Sequence, residues 1–220
     1  MKEKIFDSNE FEGILTDKDD QVLILFKNDL VSLKGEKKGT AKHKARINCK
    51  LAVYLYRLIS SYLVLTHFDK QKSEKEILVK PVEELPFHVK ITNWQDKQKL
   101  SGPKIEYIRD DEDDEQVIDS DAILSEEWMG RQSLTELRRN SLKINVVLTD
   151  FFKRRGLDLT TLQLRFGKID ENLGVCRPIT FDRCELKEID GSQQYDYAAL
   201  NRNSDKTDGL YQTLDERIIF

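Results

Sequence analysis

The residues best equipped for chemistry lie close together in the first quarter of the chain. Lys34, Lys37, Lys38, Lys42, His43, Lys44, Arg46 and Lys50 surround Gly35 and Gly39, with Glu36 as the one acid among them. Glycines let backbone N–H groups come close to an anion, and a helix starting here would add unpaired donors and a favourable dipole end. Lys37, Lys38, Lys44 and Asn48 are therefore candidate ligands for a phosphate group. The competing account makes Gly35 and Gly39 plain turn residues and leaves the lysines in water. No aromatic residue is interleaved with the cluster, so it lacks the stacking platforms of single-strand nucleic-acid binders.

Other reactive side chains are scattered. His43, His67 and His88 have neither ligand nor base spacing. Cys49, Cys176 and Cys184 form no close pair, which suits reduced thiols rather than a disulfide framework or a zinc site. The acidic run from Arg109 to Glu115 lacks the alternating oxygen ligands and glycine of a calcium loop, so no metal site is expected. Trp94 and Trp128 are assigned to packing or an interface.

The elements that must position these groups show in the hydrophobic spacing. Val22 to Phe26 is a short strand-forming run, with Phe11 to Thr16 as its hairpin partner. Ile47, Leu51, Tyr54, Leu55 and Leu58 recur at steps of three and four, predicting a helix over 45–61. Strands are expected at Ile77 to Lys80, Phe87 to Ile91 and Leu162 to Phe166. Ser133 and Glu136 have capping-box spacing ahead of a long helix that Gly156 should stop. Early strands followed by mixed elements give an α+β fold. A sheet-rich N-terminal lobe with one helix is expected over 1–91 and a larger mixed lobe over 92–220.

Bulk properties narrow the function classes. The chain has 220 residues, 39% of them apolar and 35% charged, with a net charge of −4. Such a mixture argues against a nucleic-acid coat, which would be basic. No run approaches the roughly 18 apolar residues of a membrane span. The start, Met1-Lys2-Glu3-Lys4, has no apolar stretch. A cytoplasmic protein is expected.

The order of these segments resembles one known family. Gly35-Glu36-Lys37-Lys38-Gly39, then Lys44, Asn48 and Leu55, resembles the SAICAR synthase segment that runs Gly-Glu-Lys-Lys-Gly into Lys-Gly-x-x-Asn-Asn and a helix. Val22 to Asp29 and Thr66-His67-Phe68 match its flanks. Ile77 to Lys80, Leu85-Pro86 and Val89 to Asn93 are similar to its Leu-Val-Arg…Pro…Val-Val-Arg-Asn. Leu162 to Gly167 resembles its Asp-Phe-Lys-Leu-Glu-Phe-Gly strand, and Asp182 and Leu186 fall on its Ser-Pro-Asp and Arg-Leu-Trp-Asp. The resemblance runs from about Glu12 to Asp190. It implies an α+β fold of two lobes with a nucleotide between them, and ATP- and magnesium-dependent ligation of aspartate to the carboxylate of an aminoimidazole ribotide, CAIR.

Measured against that pattern, the chemistry positions differ. The family's Gly-Lys-Ala-Lys hairpin is expected to be largely deleted, with Gly13 running into Ile14-Leu15-Thr16. Its Lys-Leu-Glu is Gln163-Leu164-Arg165, and its Asp-Glu pair is Arg177-Pro178. Magnesium takes oxygen ligands, and a guanidinium offers no lone pair. The ribotide Arg is Thr92, and the Arg of Arg-Leu-Trp-Asp is Glu185. The expectation is a member deficient in the family ligation, with no assigned cofactor, that binds a nucleotide-like small molecule or a protein partner, including another copy of itself. An active ligase using ATP and magnesium is the alternative, and an anion- or nucleic-acid-binding module the third reading.

Overall fold

The computed structural model describes residues 4–8, 10–16, 21–32, 35–93, 102–110, 115–202 and 204–218. Trp94 and most of the acidic run fall outside them. In chain order, the elements begin with β1 (Lys4–Asp7), β2 (Phe11–Leu15), β3 (Val22–Phe26), β4 (Asp29–Val31), β5 (Lys37–Thr40) and α1 (Lys44–Ser61). Next come β6 (Phe68–Ser73), β7 (Glu76–Val79), β8 (Glu83–Thr92), β9 (Lys104–Asp110) and β10 (Glu115–Ile118). Helices α2 (Ser120–Ser125) and α3 (Arg131–Lys153) lead into β11 (Leu157–Ile169) and β12 (Asn172–Cys176). A single 3-10 turn, Phe181–Arg183, precedes β13 (Cys184–Glu188), β14 (Gln194–Tyr195), α4 (Tyr197–Leu200) and α5 (Ser204–Arg217).

Two antiparallel sheets carry the molecule. The first has the order β1-β2-β3-β7-β6, and the second β10-β9-β8-β11-β13-β14 with β12 also paired to β11. The expected α+β architecture with a sheet-rich N-terminal lobe is what the chain adopts. The change of sheet falls between Val79 and Glu83, because β8 pairs with β9 and β11. Residues 83–91, expected in the first lobe, thus build the second sheet.

Helix α1 lies against the first sheet. Ile47, Leu51, Leu55 and Ile59 are all buried, each contributing roughly 1.5–3 kcal/mol when fully removed from water. Its N-terminal donors are met from a distance: Asn28 Oδ1 accepts from Ala45 N at 2.9 Å, and Asp208 Oδ1 from His43 N at 3.0 Å. Helix α3 packs on the second sheet and meets α1 where Tyr54 and Phe151 lie 5.3 Å apart. It starts at Arg131 with Gly130 as its cap. Ser133 therefore sits inside the helix, and the capping-box spacing is not used as a cap. Gly156 does end the segment, with φ of +73° and its N–H on Lys153 O at 3.1 Å.

The lobes are stitched together by main chain as well. Val175 N donates to Leu65 O at 2.8 Å and His67 N to Val175 O at 3.2 Å. One apolar core runs through both lobes, so strands of the second sheet hold a fixed position relative to the N-terminal hairpin.

Candidate functional site

Strand alternation sets the floor of a cleft. On β11, Thr161, Gln163 and Arg165 share one face, and their partners on β8 are Thr92, Lys90 and His88. On the other side Thr161 is opposite Glu185 of β13. Two cavities open over this floor. One, about 540 Å³, is lined by Thr92, Thr161, Glu185, Lys187, Asp196 and Tyr197 among others. The other, about 490 Å³, is lined by Asp7, Ser8, Glu10, Lys90, Gln163, Asp182, Arg183 and others. They share Thr161, Glu185 and Tyr197, so they form one continuous cleft. Thr161 Oγ1 donates to Glu185 Oε2 at 2.7 Å.

The N-terminal hairpin forms the opposite wall, and here the structure corrects the sequence reading. The hairpin is not deleted: β1 and β2 pair from Lys4 to Ile14, with the turn near Ser8 and Glu10. What it lacks is basic residues in the turn. Gly13 lies under Phe6, whose ring would stand 2.2 Å from a Cβ there, so any larger residue would displace that ring.

The turn delivers an acid into the cleft. Glu10 is 5% exposed. Its Oε1 meets Arg183 Nε at 2.7 Å, and its Oε2 accepts from Thr180 Oγ1 at 2.5 Å. Nearby, Arg165, Arg177 and Arg183 surround a gap of about 10 Å³ with Gln163, His88 and Pro178, and among the described residues no carboxylate lines it. Arg177 has φ of +64°, pairs through Nε with Glu84 at 2.6 Å and stacks 3.6 Å over the Phe6 ring. It also borders an apolar cavity of about 360 Å³ walled by Leu15, Val22, Val79 and Val82.

Behind the cleft is a second charged cluster. Lys44 Nζ lies 2.8 Å from Asp182 Oδ1 and 3.0 Å from Asn201 Oδ1. Asn48 Nδ2 donates to Asp182 Oδ2 at 2.8 Å, Tyr211 Oη to the same oxygen at 2.9 Å, and Asn201 Nδ2 to Oδ1 at 2.9 Å. Burial opposes ionisation of Asp182, but the Lys44 charge and these donors outweigh it and hold the carboxyl below its ordinary range. Burial, followed by the Asp182 charge, pushes the Tyr211 hydroxyl well up.

Of the residues expected to hold an anion, Lys44 and Asn48 meet at Asp182, while Lys37 pairs with Asp29 at 2.8 Å and Lys38 with Glu36 at 2.6 Å, out on β5. The mobile charge expected of Lys44 is absent, since its side chain is 1% exposed. The divergent positions Thr92, Gln163, Arg165, Arg177, Pro178 and Glu185 gather around the one cleft. Glu10, Thr180 and Arg183 were not anticipated. The acid–aromatic alternation of Glu10-Phe11-Glu12 was the available signal for an acidic hairpin.

The magnesium ion that the family resemblance implies does not fit this donor set. The two positions where the family resemblance places carboxylates, 165 and 177, carry guanidiniums, which offer a metal no lone pair. His67, beside Arg177, donates or accepts at Tyr56 Oη over 2.8 Å, and burial together with the Arg177 charge lowers its pKa to about 3. The three cysteines are free and buried, and burial pushes each thiol up, Cys49 to about 12. Among the described residues no helix is long and apolar enough to cross a membrane.

Comparison with known proteins identifies the family and the fold. The family model described as SAICAR synthetase matches residues 13–213. A phosphoribosylaminoimidazole-succinocarboxamide synthase of Exiguobacterium sp. is 28% identical over 89% of this chain and 88% of its own. The enzyme of that name from Wolinella succinogenes is 28% identical over 91% of each. The crystal structure of the Ehrlichia chaffeensis synthase superposes with a TM-score of 0.88 at 24% identity, covering 98% of both chains. A type-2 SAICAR synthetase in complex with ADP gives 0.88 at 20% identity, covering 99% of this chain and 97% of its own.

Proposed function

The chain belongs to the SAICAR synthetase family, and on that premise we propose that it uses the cleft between its sheets to bind a nucleotide-like small molecule without carrying out magnesium-dependent ligation of aspartate to CAIR. One observation carries this reading. Arg165 and Arg177 border the same gap, and the family resemblance places metal-holding carboxylates at these two positions. Arginine stays protonated and has no lone pair to give. Neither guanidinium can stand in for a carboxylate as a ligand of a divalent cation.

The cleft itself supports ligand binding. It has a polar floor, and the small gap beside it leads by way of Arg177 to an apolar cavity; polar and apolar walls together are the usual make-up of a small-molecule site. The relative bound to ADP has the same fold across nearly its whole length.

A second reading is that the chain is an active phosphoribosylaminoimidazole-succinocarboxamide synthase. What favours it is the shared name of relatives that align over 88–91% of their own length. One assay separates the two. The purified protein is incubated with CAIR, aspartate, ATP and magnesium, and the succinocarboxamide ribotide is measured. No product above background is expected, because removing even one charge-stabilising group typically costs about 100- to 1000-fold. Sustained turnover would establish the second reading.

A further inference from the structure

Helix α1 ends on a residue that its closing turn disfavours. Leu63 N donates to Ser60 O at 3.0 Å and Val64 N to Ile59 O at 3.3 Å, the bond pair of a Schellman turn. Such a turn puts the residue after the cap in the left-handed region, where glycine is usual. Here that residue is Leu63, at φ of +58°, and a Cβ is strained there. Burial does not offset the strain, because Leu63 is 90% exposed. Tyr62 and Leu65 beside it are exposed as well, and so is Val146 of α3. Lys143 Nζ donates to Tyr62 O at 3.2 Å, which brings Val146, one turn further along α3, to the same end of the molecule.

The charge around this end is basic. Helices α1 and α3 run side by side in opposite directions, since Tyr54 meets Phe151 and Tyr62 meets Lys143. Together they carry nine lysines and arginines and only two acids, Glu136 and Asp150, in a chain whose acids outnumber its bases 40 to 36. Lys44 is buried on Asp182, and Arg46 and Lys50 pair with Asp215 toward the other end of α1. Near Leu63 the two helices present exposed Arg57 and Arg139 and half-buried Lys143. Of the acids on this side, Asp150 pairs with Arg154 at 2.7 Å and Asp170 with Lys80 at 2.6 Å, Glu136 is half-buried, and Glu171 is exposed in the turn before β12.

We propose that this end of the molecule docks on an anionic lipid surface, with Leu63 as the inserted tip and Arg57, Arg139 and Lys143 over the headgroups. The proposal is independent of the cleft. Apolar side chains on a protruding turn enter the boundary of the acyl chains, and basic side chains beside them meet anionic headgroups. Charge selects this occupant over a second copy, because two such patches face to face would set the same cations against each other. Shape selects it over a peptide, which takes a groove or an open sheet edge, whereas Leu63 stands out from the end of a helix. The rival account is that the turn only closes α1.

Co-sedimentation of the full chain with vesicles decides between them, comparing mixed phosphatidylserine and phosphatidylcholine with phosphatidylcholine alone. The parent is expected to bind the mixed vesicles at low salt, to release them as salt screens the charges, and to leave phosphatidylcholine alone unbound. Leu63→Gly removes the tip and relieves the strained φ. Its affinity for mixed vesicles should fall at least about tenfold, while its urea midpoint rises above the parent's. The double variant Arg139→Glu with Lys143→Glu should also lose at least about tenfold, with circular dichroism confirming the fold; should it not fold, Arg139→Gln with Lys143→Gln must show a loss in the same direction. A parent that ignores the mixed vesicles, or Leu63→Gly binding as the parent does, would overturn the proposal. A lowered urea midpoint in Leu63→Gly would assign Leu63 to the fold and overturn it too. Equally tight binding of soluble poly-glutamate would make the partner an acidic protein surface. Self-association in sedimentation velocity that Leu63→Gly abolishes would make it a second copy, and either result displaces the lipid.

Discussion

Two charged clusters flank the cleft, and they are built differently. Behind it, Lys44 and Asp182 are both essentially inaccessible, and each carboxylate oxygen receives more than one donor. In front, Arg177–Glu84 and Arg183–Glu10 face cavities, with side chains up to about a quarter exposed. The rear cluster has no solvent to compensate a missing partner, so it serves the fold. The front cluster borders cavities and is partly exposed, so water can compensate a missing partner there. Burial, more than residue type, separates a structural ion pair from one able to recognise a ligand.

The largest expected effect follows from that contrast. Lys44→Ala leaves the Asp182 carboxylate buried without its cation. A loss of about 3–5 kcal/mol in urea unfolding is expected. A loss below about 1 kcal/mol would mean that the rear cluster resembles the front one, against the burial argument.

Acid should weaken the protein by a different route. His67 titrates near 3 in the folded state, below its ordinary 6.5, because burial and the Arg177 charge both disfavour its cation. As pH falls below about 6.5 the unfolded chain takes up a proton that the folded chain refuses. Stability is therefore complete above that pH and declines toward pH 3, at up to about 1.4 kcal/mol per pH unit. Asp182, whose folded pKa is lowered, adds a further loss below its unfolded value of about 3.9. Urea midpoints at pH 7, 5.5 and 4.5 measure the slope. His67→Gln should flatten it between pH 6.5 and 4.5, and an unchanged slope would remove His67 from the account.

The smallest effect belongs to the front cluster. Arg177→Ala is expected to cost about 1 kcal/mol, since its ion pair with Glu84 is partly screened. The same variant removes one of the two causes that depress His67, so its acid slope should be shallower than the parent's. A cost matching that of Lys44→Ala would erase the distinction between the clusters.

Much of the frame was legible beforehand. Val22 to Phe26 and the helix after His43 were read from apolar spacing, and the order of Gly35 to Asn48, Ile77 to Asn93 and Leu162 to Gly167 carried the family resemblance. The divergent residues were also legible as types, and six of those positions converge on the cleft. The hairpin was misjudged because its turn, near Ser8 and Glu10, has no lysine to mark it. The capping-box spacing of Ser133 and Glu136 lost to an earlier helix start at Arg131, which extends the helix by three residues at its N-terminus.

Periodicity acts over neighbouring residues, so amino-acid order determined the strands, the long helices and the lineage. Partners far apart in the chain were decided only by tertiary structure. A lysine next to glycines looks solvated until a helix turns it toward Asp182, 138 positions later. A glutamate in a short turn looks like surface until the hairpin folds it against Arg183. The energy of a charge depends on its distance to other charges and to water, and the packing of the two sheets sets both.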